Sequence, residues 1–236
     1  MANPWMYLRD IAQQFYEGEL RAPHIRFNLG FLKGSEIKQQ FYCEQQLHFK
    51  YSRGDVDLES RQSSARRIVS MILVESRKPV RYGWIRTPLI HPIEDVPIIT
   101  TPDAILVRED EILLVVKAST SRYSRLSLGD EALARLQLYI LDLLGFKVSN
   151  TKYYIIKGNR SELIEALLYV KNKQTPPENI RTHILVHDEE RARGLISWAL
   201  AYWTFKRDPK PNPSAGKCNK CPYRSVCPVR NTLYSK

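Results

Sequence analysis

Long hydrophobic runs and a targeting segment are both missing from this sequence of 236 residues. No stretch of about 18 apolar residues occurs, so no transmembrane helix is expected. The opening residues, MANPWMYLRDIAQQF, lack a basic segment followed by an apolar core and a cleavage site, so no secretory signal is expected. Internal repeats and low-complexity tracts are missing too. These absences predict a cytoplasmic protein in a reducing compartment, with no membrane partner.

Acidic residues are fewer than basic ones, and this excess of positive charge indicates which kind of molecule the protein binds. The chain has 36 Lys and Arg against 25 Asp and Glu, a formal net charge of +11. From Lys206 onward, eight Lys or Arg face a single acid, Asp208, so the tail contributes +7. Such a balance favours a polyanion such as nucleic acid as the partner, while the alternative is a basic surface that only keeps the protein in solution.

Helical and strand-like patterns alternate along most of the chain, whose length allows a sizeable core. The predicted helices follow an irregular or helical leader and span 34–51, 59–78, 129–146, 161–170 and 188–207. The predicted strands span 80–86, 104–107, 112–118, 152–157 and 183–187. Ser35 and Asp130 are expected to be N-caps, and HPIEDVP is expected to form a loop. This order favours an α/β fold with a sheet covered by helices.

The segment PDAILVREDEILLVVKAS, residues 102–119, predicts a β-hairpin with polar residues near its ends. Its second strand is a continuous apolar run, which is typical of a strand buried on both faces at the centre of a sheet. Asp103 stands at the start of the first strand, and Lys117 stands near the end of the second. Taken alone, each residue favours a structural role at a strand end, so the pair needs further context.

The sequence contains four cysteines, and three of them crowd into the Pro-rich tail. Cys218, Cys221 and Cys227 form a C-x2-C-x5-C cluster, and Cys43 lies 175 residues before the first of them. Four thiolates can bind one zinc ion or one iron–sulfur cluster, and the metal would order a loop-rich module that has no core. Disulfides are disfavoured in a reducing compartment. The remote fourth cysteine favours an iron–sulfur cluster, and zinc stays open as the alternative.

Three predicted elements lie between two cysteine-containing segments: the PD strand, the strand ending in Lys and a helix that contains Gln137. The first segment is FYCEQQLHFKY, and the second, far downstream, is CNKCPYRSVC. This arrangement, over roughly residues 30–230, resembles the CRISPR-associated, iron–sulfur-containing branch of the RecB-like exonucleases, within the PD-(D/E)xK nuclease superfamily. The resemblance implies a restriction-endonuclease-like central mixed sheet flanked by helices. It divides the chain into an N-terminal helical region (1–78), a nuclease core (79–207) and a C-terminal cysteine module (208–236).

The same resemblance implies a function and a set of site residues. It implies a 4Fe-4S cluster bound by the four cysteines, and Mg²⁺- or Mn²⁺-dependent exonuclease activity on DNA that is single-stranded or an end-frayed duplex. CRISPR integrase subunits would be partners in spacer acquisition, an antiviral defence. By position, Asp103 is similar to the metal-binding Asp, Lys117 to the motif lysine and Gln137 to the glutamine of the following helix. Because Gln137 lies on a mainly apolar helix, a structural hydrogen bond is the alternative.

Two positions depart from the family pattern. Val115 stands where the Glu of a Glu-x-Lys motif is expected, and residues 59–75 contain no His where a family helix presents a metal-binding one. Ser64 to Arg67 occupy that place. Asp103, a backbone carbonyl near Val116 and the DNA phosphate would then complete a weak shell around the metal. Losing one ligand is expected to slow hydrolysis roughly 100-fold or more.

A carboxylate from elsewhere in the fold is the alternative to a weakened shell. The candidates are Glu59, Glu75, Glu94, Asp95 and Glu131. Three functional hypotheses follow. They are a DNA exonuclease with an altered metal shell, a catalytically inactive DNA-binding subunit of an adaptation complex, and a zinc-stabilised scaffold with no nucleic-acid role.

Overall fold

The computed structural model describes residues 3–22, 24–55, 64–76, 82–120 and 125–229. Helices flank two mixed sheets in a mixed α/β fold. The helices are α1 (Pro4–Glu17), α2 (Gly34–Tyr42), α3 (Glu44–Ser52), α4 (Ser64–Ile72), α5 (Leu128–Leu143), α6 (Arg160–Lys171), α7 (Glu189–Trp203) and α8 (Ala215–Asn219). The strands are β1 (Leu32–Lys33), β2 (Tyr82–Ile85), β3 (Leu89–Ile93), β4 (Val96–Thr100), β5 (Ala104–Arg108), β6 (Glu111–Ser119), β7 (Lys152–Lys157) and β8 (Arg181–Val186). Within the described ranges, no helix combines the length and apolar character that a membrane span requires.

The larger sheet carries the predicted hairpin at its centre. Its strand order is β2-β5-β6-β7-β8, with β6 and β7 parallel and the other neighbours antiparallel. Because successive side chains of a strand point to opposite faces, Val115 and Val116 enter two separate hydrophobic cores. Residues of α5 and α7 pack in the core of Val115, and residues of α4 and α6 pack in the core of Val116. The prediction that this strand is buried on both faces is confirmed.

The smaller sheet, β1-β4-β3, contains a hairpin that the sequence did not predict. The expected loop HPIEDVP is the end of β3, a tight turn and the start of β4. Pro92 and Pro97 are paired in the register of β3 and β4. Because proline has no N–H to donate to a neighbouring strand, these two prolines favour a loop over strands in the sequence. β3 is an edge strand, and β4 pairs with β1 only from Ile98 onward, so both prolines are tolerated.

Two helix starts differ from the expected caps. Lys33, rather than Ser35, is the N-cap of α2, and its N–H donates to Glu36 Oε2 at 2.8 Å. Ser127, rather than Asp130, is the N-cap of α5, because the Ser127 hydroxyl accepts the Asp130 N–H at 3.1 Å. The corrections move the caps toward the preceding strand or loop, by two residues for α2 and by three for α5.

The single helix predicted over 34–51 is wrong, because it breaks at one residue. Cys43 is extended, with φ −168° and ψ 110°, and separates α2 from α3. Its N–H still donates to Gln39 O at 3.2 Å, so the interruption is local. Of the helix predicted over 59–78, residues 64–72 form α4, whereas 73–76 lie beyond its end and Ser76 forms a β-bridge with Ile85. Of the strand predicted over 80–86, residues 82–85 form β2. Their predicted portions at 59–63 and 77–81 lie outside the described residues.

Candidate functional site

Asp103 and Lys117, predicted from the motif, lie side by side. Ala104 pairs with Val116 in the register of β5 and β6, which places Asp103 opposite Lys117. The Lys117 ammonium lies 3.2 Å from Asp103 Oδ1 and 3.1 Å from Oδ2. The Asp103 N–H donates to Val116 O at 3.1 Å, which extends the ladder by one bond. The hairpin therefore builds the charge pair directly.

A second cation, Arg66, reaches the same carboxylate from α4. Its Nε donates to Asp103 Oδ1 at 2.9 Å, and the Ala118 N–H donates to Oδ2 at 3.0 Å. Asp103 is fully buried, and each of its carboxylate oxygens accepts at least one of these bonds. In the sequence, Arg66 is one of the residues that occupy the place of the missing His, and nothing there predicts its contact with Asp103. Its contact with Asp103 depends on how α4 packs against the sheet, which no local pattern reveals.

Val115, two residues before Lys117, supplies no carboxylate to the site. Val115 is fully buried and lies opposite Ile105 and Tyr153 in the register, so this part of the site is apolar. The Val116 carbonyl, which the sequence offered as a metal ligand, accepts the Asp103 N–H. The described arrangement thus contains Asp103 and Lys117 of the motif, with a core valine where the Glu would stand.

Four of the five relocation candidates lie within the described residues, and these four have other surroundings. Glu75 accepts a hydrogen bond from the Trp84 N–H at 3.3 Å, and Asp95 lies in the β3–β4 turn with φ 62°. Glu59 lies outside the described residues. The remaining two form ion pairs with basic side chains, namely Glu94 with Lys206 at 3.3 Å and Glu131 with Arg135 at 2.8 Å and Arg191 at 3.2 Å. Among the ion pairs of the described ranges, Lys117 has Asp103 as its carboxylate partner.

A divalent cation does not fit the described residues of this site. Mg²⁺ is commonly held by one or two carboxylates together with waters and substrate oxygens. Asp103 offers one carboxylate, and two of the three groups that donate to it are themselves cationic. Elsewhere in the described part of the chain, too, no group of three or more His, Cys, Asp or Glu side chains is placed to hold a single metal ion. A cation at Asp103 would have to displace a donor and lie against positive charge.

Gln137, the third motif residue, lies on α5 and is buried. Its amide nitrogen donates to Thr100 Oγ1 at 2.7 Å, and its amide oxygen accepts from the Tyr153 hydroxyl at 2.5 Å. Burial raises the pKa of Tyr153 well above its usual value, and the nearby carboxylates of Asp103 and Asp130 raise it further. Gln137 therefore adjoins the charge pair through Tyr153, and both of its hydrogen bonds are internal.

Gln137→Ala is expected to destabilise the fold. The change leaves the buried hydroxyls of Tyr153 and Thr100 without this partner, at a cost of about 1–3 kcal/mol for each unsatisfied group. The free energy of unfolding from urea titration measures the loss. Tyr153→Phe in the Gln137→Ala background removes one orphaned hydroxyl and is expected to cost less than the two single changes added together. Unchanged stability of Gln137→Ala would contradict the structural role.

A second buried acid, Asp130, lies at the start of α5 between two lysines. Its carboxylate is 2.5 Å from the Lys38 ammonium and 2.8 Å from the Lys157 ammonium, and it accepts from the Ser127 hydroxyl at 2.8 Å. Burial opposes ionisation of Asp130, but hydrogen bonds from Lys157 and Lys38 outweigh it and lower its pKa to about 2. The acid is therefore ionised at neutral pH and holds both lysines in place.

These lysines belong to a groove of about 880 Å³ between α2, the start of α5 and the C-terminal module. We call it the basic groove. Its charged lining consists of one acid, Asp130, and the cations Lys38, Arg125, Lys157, Lys217 and Lys220. Tyr42, which is 46% exposed, also lines it. The positive charge of Lys38 contributes to lowering the pKa of Lys117, and Lys157 lies on β7, the strand next to the one that carries Lys117.

The four cysteines line one cavity, whose lining shares Tyr42, Asn212 and Lys217 with the basic groove. Cys43 stands at the break between α2 and α3, Cys218 lies on α8, and Cys221 and Cys227 lie in the loop that follows. Burial raises the pKa of the Cys221 thiol, and the other three cysteines raise it further. The four cysteines thus share one cavity, although in the described residues their thiols are not placed to hold a single metal ion. Four thiols around one cavity match in type and number the ligands of zinc or of a 4Fe-4S cluster.

A buried ion pair fastens the segment that leads into this module. The fully buried Glu44, next to Cys43, accepts two hydrogen bonds from the Arg207 guanidinium, at 2.6 Å and 2.5 Å. The Lys210 N–H donates to the same carboxylate at 2.6 Å. Neither contact was predicted, because the partners are more than 160 residues apart and carry no motif.

Comparison with known proteins adds a structural likeness. No protein-family model matches the sequence, and no curated protein matches it. Among solved structures, the crystal structure of SSO0001 is similar to this chain, with 10% sequence identity, a TM-score of 0.46, and coverage of 95% of this chain and 96% of the other. The likeness concerns the path of the chain alone, and no functional argument rests on it.

Proposed function

We propose that the protein binds DNA ends in the basic groove, as a RecB-like nuclease-type protein whose hydrolytic site has lost its metal shell. The observation that carries this proposal is the basic groove itself. Its Lys157 lies on β7, next to the strand that carries Lys117, and its Tyr42 and Lys217 also line the cavity of the four cysteines. Five cations against one acid, in a concave site, give the charge that a phosphate backbone requires.

Single-stranded DNA, or the frayed end of a duplex, is the proposed ligand form. The exposed ring of Tyr42 offers a surface on which an unpaired base can stack, and the Lys217 ammonium lies 5.0 Å from the centre of that ring. Grooves that combine basic side chains with aromatic rings are typical of proteins that bind single strands without sequence preference. The corresponding biological setting is CRISPR spacer acquisition, with integrase subunits as partners.

The four cysteines are proposed to hold a 4Fe-4S cluster, with zinc as the alternative metal. When bound, the cluster supplies a covalent crosslink between α2–α3 and the C-terminal module. Lys217 and Lys220 flank Cys218 in the sequence and line the basic groove. The crosslink would therefore also fix one wall of the DNA site.

A metal-dependent exonuclease is the second candidate, because Asp103 and Lys117 are adjacent as the motif requires. It is tested by incubating labelled single-stranded DNA with Mn²⁺ and comparing the wild-type protein with Asp103→Asn. Degradation that disappears in Asp103→Asn would establish the exonuclease. Equal traces of degradation in both proteins would be a contaminant and would leave DNA binding as the function.

Removing two cations from the basic groove tests the proposed function. Lys217→Ala with Lys220→Ala is expected to weaken binding of a fluorescein-labelled oligothymidylate about tenfold or more at low salt. The slope of log K against log salt should become shallower by about 1.4, or about 0.7 for each lost phosphate contact. Lys152→Ala with Lys171→Ala removes the same charge from exposed positions on β7 and α6, and should change affinity less than threefold.

The absorption of the protein near about 400 nm serves as a check that the cluster survives the changes. Equal losses of affinity in the two double variants would show that net charge alone binds DNA. No binding by the wild-type protein even at low salt would overturn the proposed function.

A further inference from the structure

We propose that Asp130, the one acid among the described residues that line the basic groove, holds Lys38 and Lys157 in place as a pair that binds a backbone phosphate. This inference rests on the proposed function, because the phosphate is that of a DNA strand in the groove. Lys38 is the residue that contacts the phosphate, and Asp130 is a positioning residue. DNA affinity therefore depends on an acid that carries the same sign of charge as the ligand.

The three side chains differ in exposure. The Lys38 side chain is 38% exposed, whereas those of Asp130 and Lys157 are 10% and 3% exposed. All three residues line the basic groove, so an anion that enters it meets Lys38 before the other two. Asp130 Oδ1 contacts Lys38, and Oδ2 contacts Lys157, whose ammonium also donates to the Arg125 carbonyl at 2.8 Å. The carboxylate thus bridges an exposed cation and a buried one.

Lys38 has hydrogen-bond donors left for a phosphate. An ammonium group carries three N–H donors. Within the described residues, the Lys38 ammonium has one hydrogen-bonding partner, the Asp130 carboxylate at 2.5 Å. It can keep this bond and donate to phosphate oxygens with the remaining N–H groups. Because the bond already limits the rotamers of Lys38, less side-chain entropy is lost when the phosphate binds.

Lys157 prevents the acid from cancelling the charge of Lys38. Among the ion pairs of the described ranges, Asp130 is the carboxylate partner of both lysines, so the three side chains together carry one net positive charge. Burial raises the pKa of Asp130, but hydrogen bonds from Lys157 and Lys38 outweigh this effect and lower the pKa to about 2. The acid is ionised at neutral pH, and the exposed end of the cluster is positive.

Removal of the acid would not make the groove more attractive to DNA. A buried ammonium without a carboxylate partner loses its proton more easily, because burial disfavours the charged form. Lys117 adds repulsion, since it pairs with Ile155 in the register and its side chain therefore lies on the same sheet face as that of Lys157. Without Asp130, the buried Lys157 is therefore expected to lose its charge, and Lys38 loses its fixed position.

The test measures binding of the labelled oligothymidylate to Asp130→Asn. Net charge alone predicts tighter binding, because the variant has one acid fewer. We expect binding about tenfold weaker at low salt, and a slope of log K against log salt that is shallower by about 0.7, the value for one phosphate contact. Asp110→Asn is the matched control. It removes an exposed acid from the β5–β6 turn, where Asp110 pairs with Lys147 at 3.1 Å, and should change affinity less than about threefold.

Lys38→Ala separates positioning from a purely structural ion pair. It should reduce affinity and salt slope as much as Asp130→Asn does, and adding Asp130→Asn to it should weaken binding by less than about a further threefold. A purely structural pair would change the free energy of unfolding and leave the salt slope as it is. Circular dichroism checks the folding of each variant. Lys38→Ala alters an exposed side chain, so it carries the test even where Asp130→Asn does not fold.

Three results would overturn the inference. They are a folded Asp130→Asn protein that binds DNA as tightly as the wild type or more tightly, a Lys38→Ala protein with unchanged affinity and slope, and losses that add up fully in the double variant. In each case the wild-type protein binds DNA and the proposed function stands. A wild-type protein that binds no DNA even at low salt would overturn the proposed function itself.

Discussion

Cys43→Ser is expected to abolish the brown colour and the absorption near about 400 nm that the proposed 4Fe-4S cluster gives, and to release the C-terminal module. Within the described residues 208–229, Tyr223, which packs against Phe49, is the one buried residue. α8 has five residues, none of them buried, and the segment around it is rich in proline. Because metal binding and folding are one event in such modules, losing one ligand removes order from the whole segment.

Iron content, absorption and limited proteolysis measure this effect. Proteolytic cleavage is expected within 208–229 in Cys43→Ser and not in the wild-type protein. DNA affinity should fall at least as far as in the Lys217 and Lys220 double variant, because both lysines would lose their fixed positions. Gln46→Ala is the matched control, since Gln46 lines the same cavity and offers no sulfur. A Cys43→Ser protein that keeps its iron and its resistance to protease would contradict the shared centre.

Glu44→Ala is expected to reduce the free energy of unfolding by about 3–5 kcal/mol. The change leaves the Arg207 guanidinium, whose side chain is 15% exposed, without its buried carboxylate. It also removes the acceptor of the Lys210 N–H, at the start of the segment that leads to the cysteines. Breaking one side of a buried pair is costly because the remaining charge keeps its desolvation penalty and loses its partner.

Two further variants separate the ion pair from simple loss of an acid. Glu44→Gln with Arg207→Met removes both charges and should recover a large part of the stability lost in Glu44→Ala. Glu189→Ala removes one partner of the exposed pair with Arg193, at 3.7 Å, and should change stability by less than about 1 kcal/mol. Urea unfolding followed by circular dichroism compares them. A Glu44→Ala loss as small as that of Glu189→Ala would contradict the fastening role.

Local patterns sufficed to predict the centre of the larger sheet. The hairpin of β5 and β6 could be predicted because its strands are adjacent in sequence, and its antiparallel register places Asp103 beside Lys117. Strand β7 and helices α5 and α6 also follow from short-range patterns, with ends that differ by a few residues. The grouping of the cysteines came from the chemistry of thiols and from the resemblance, and no local pattern links Cys43 to the tail.

Contacts between distant elements could not be predicted from the sequence. Arg66 reaches Asp103 because α4 packs against β6, and Glu44 meets Arg207 because α3 begins where the C-terminal segment returns. The break at Cys43 escaped prediction because polar and apolar residues keep helical spacing on both sides of it. Gln137 could be placed on α5, but its partners Thr100 and Tyr153 come from two different sheets.

The iron content of the anaerobically purified wild-type protein shows whether Cys43 and the three cysteines of the tail share one iron–sulfur centre beside the basic groove. Elemental analysis together with the absorption spectrum gives the answer in one preparation. We predict about four iron atoms per chain, a matching amount of acid-labile sulfide and broad absorption near about 400 nm. A colourless protein with about one zinc per chain, or with no metal and four free thiols, would contradict it.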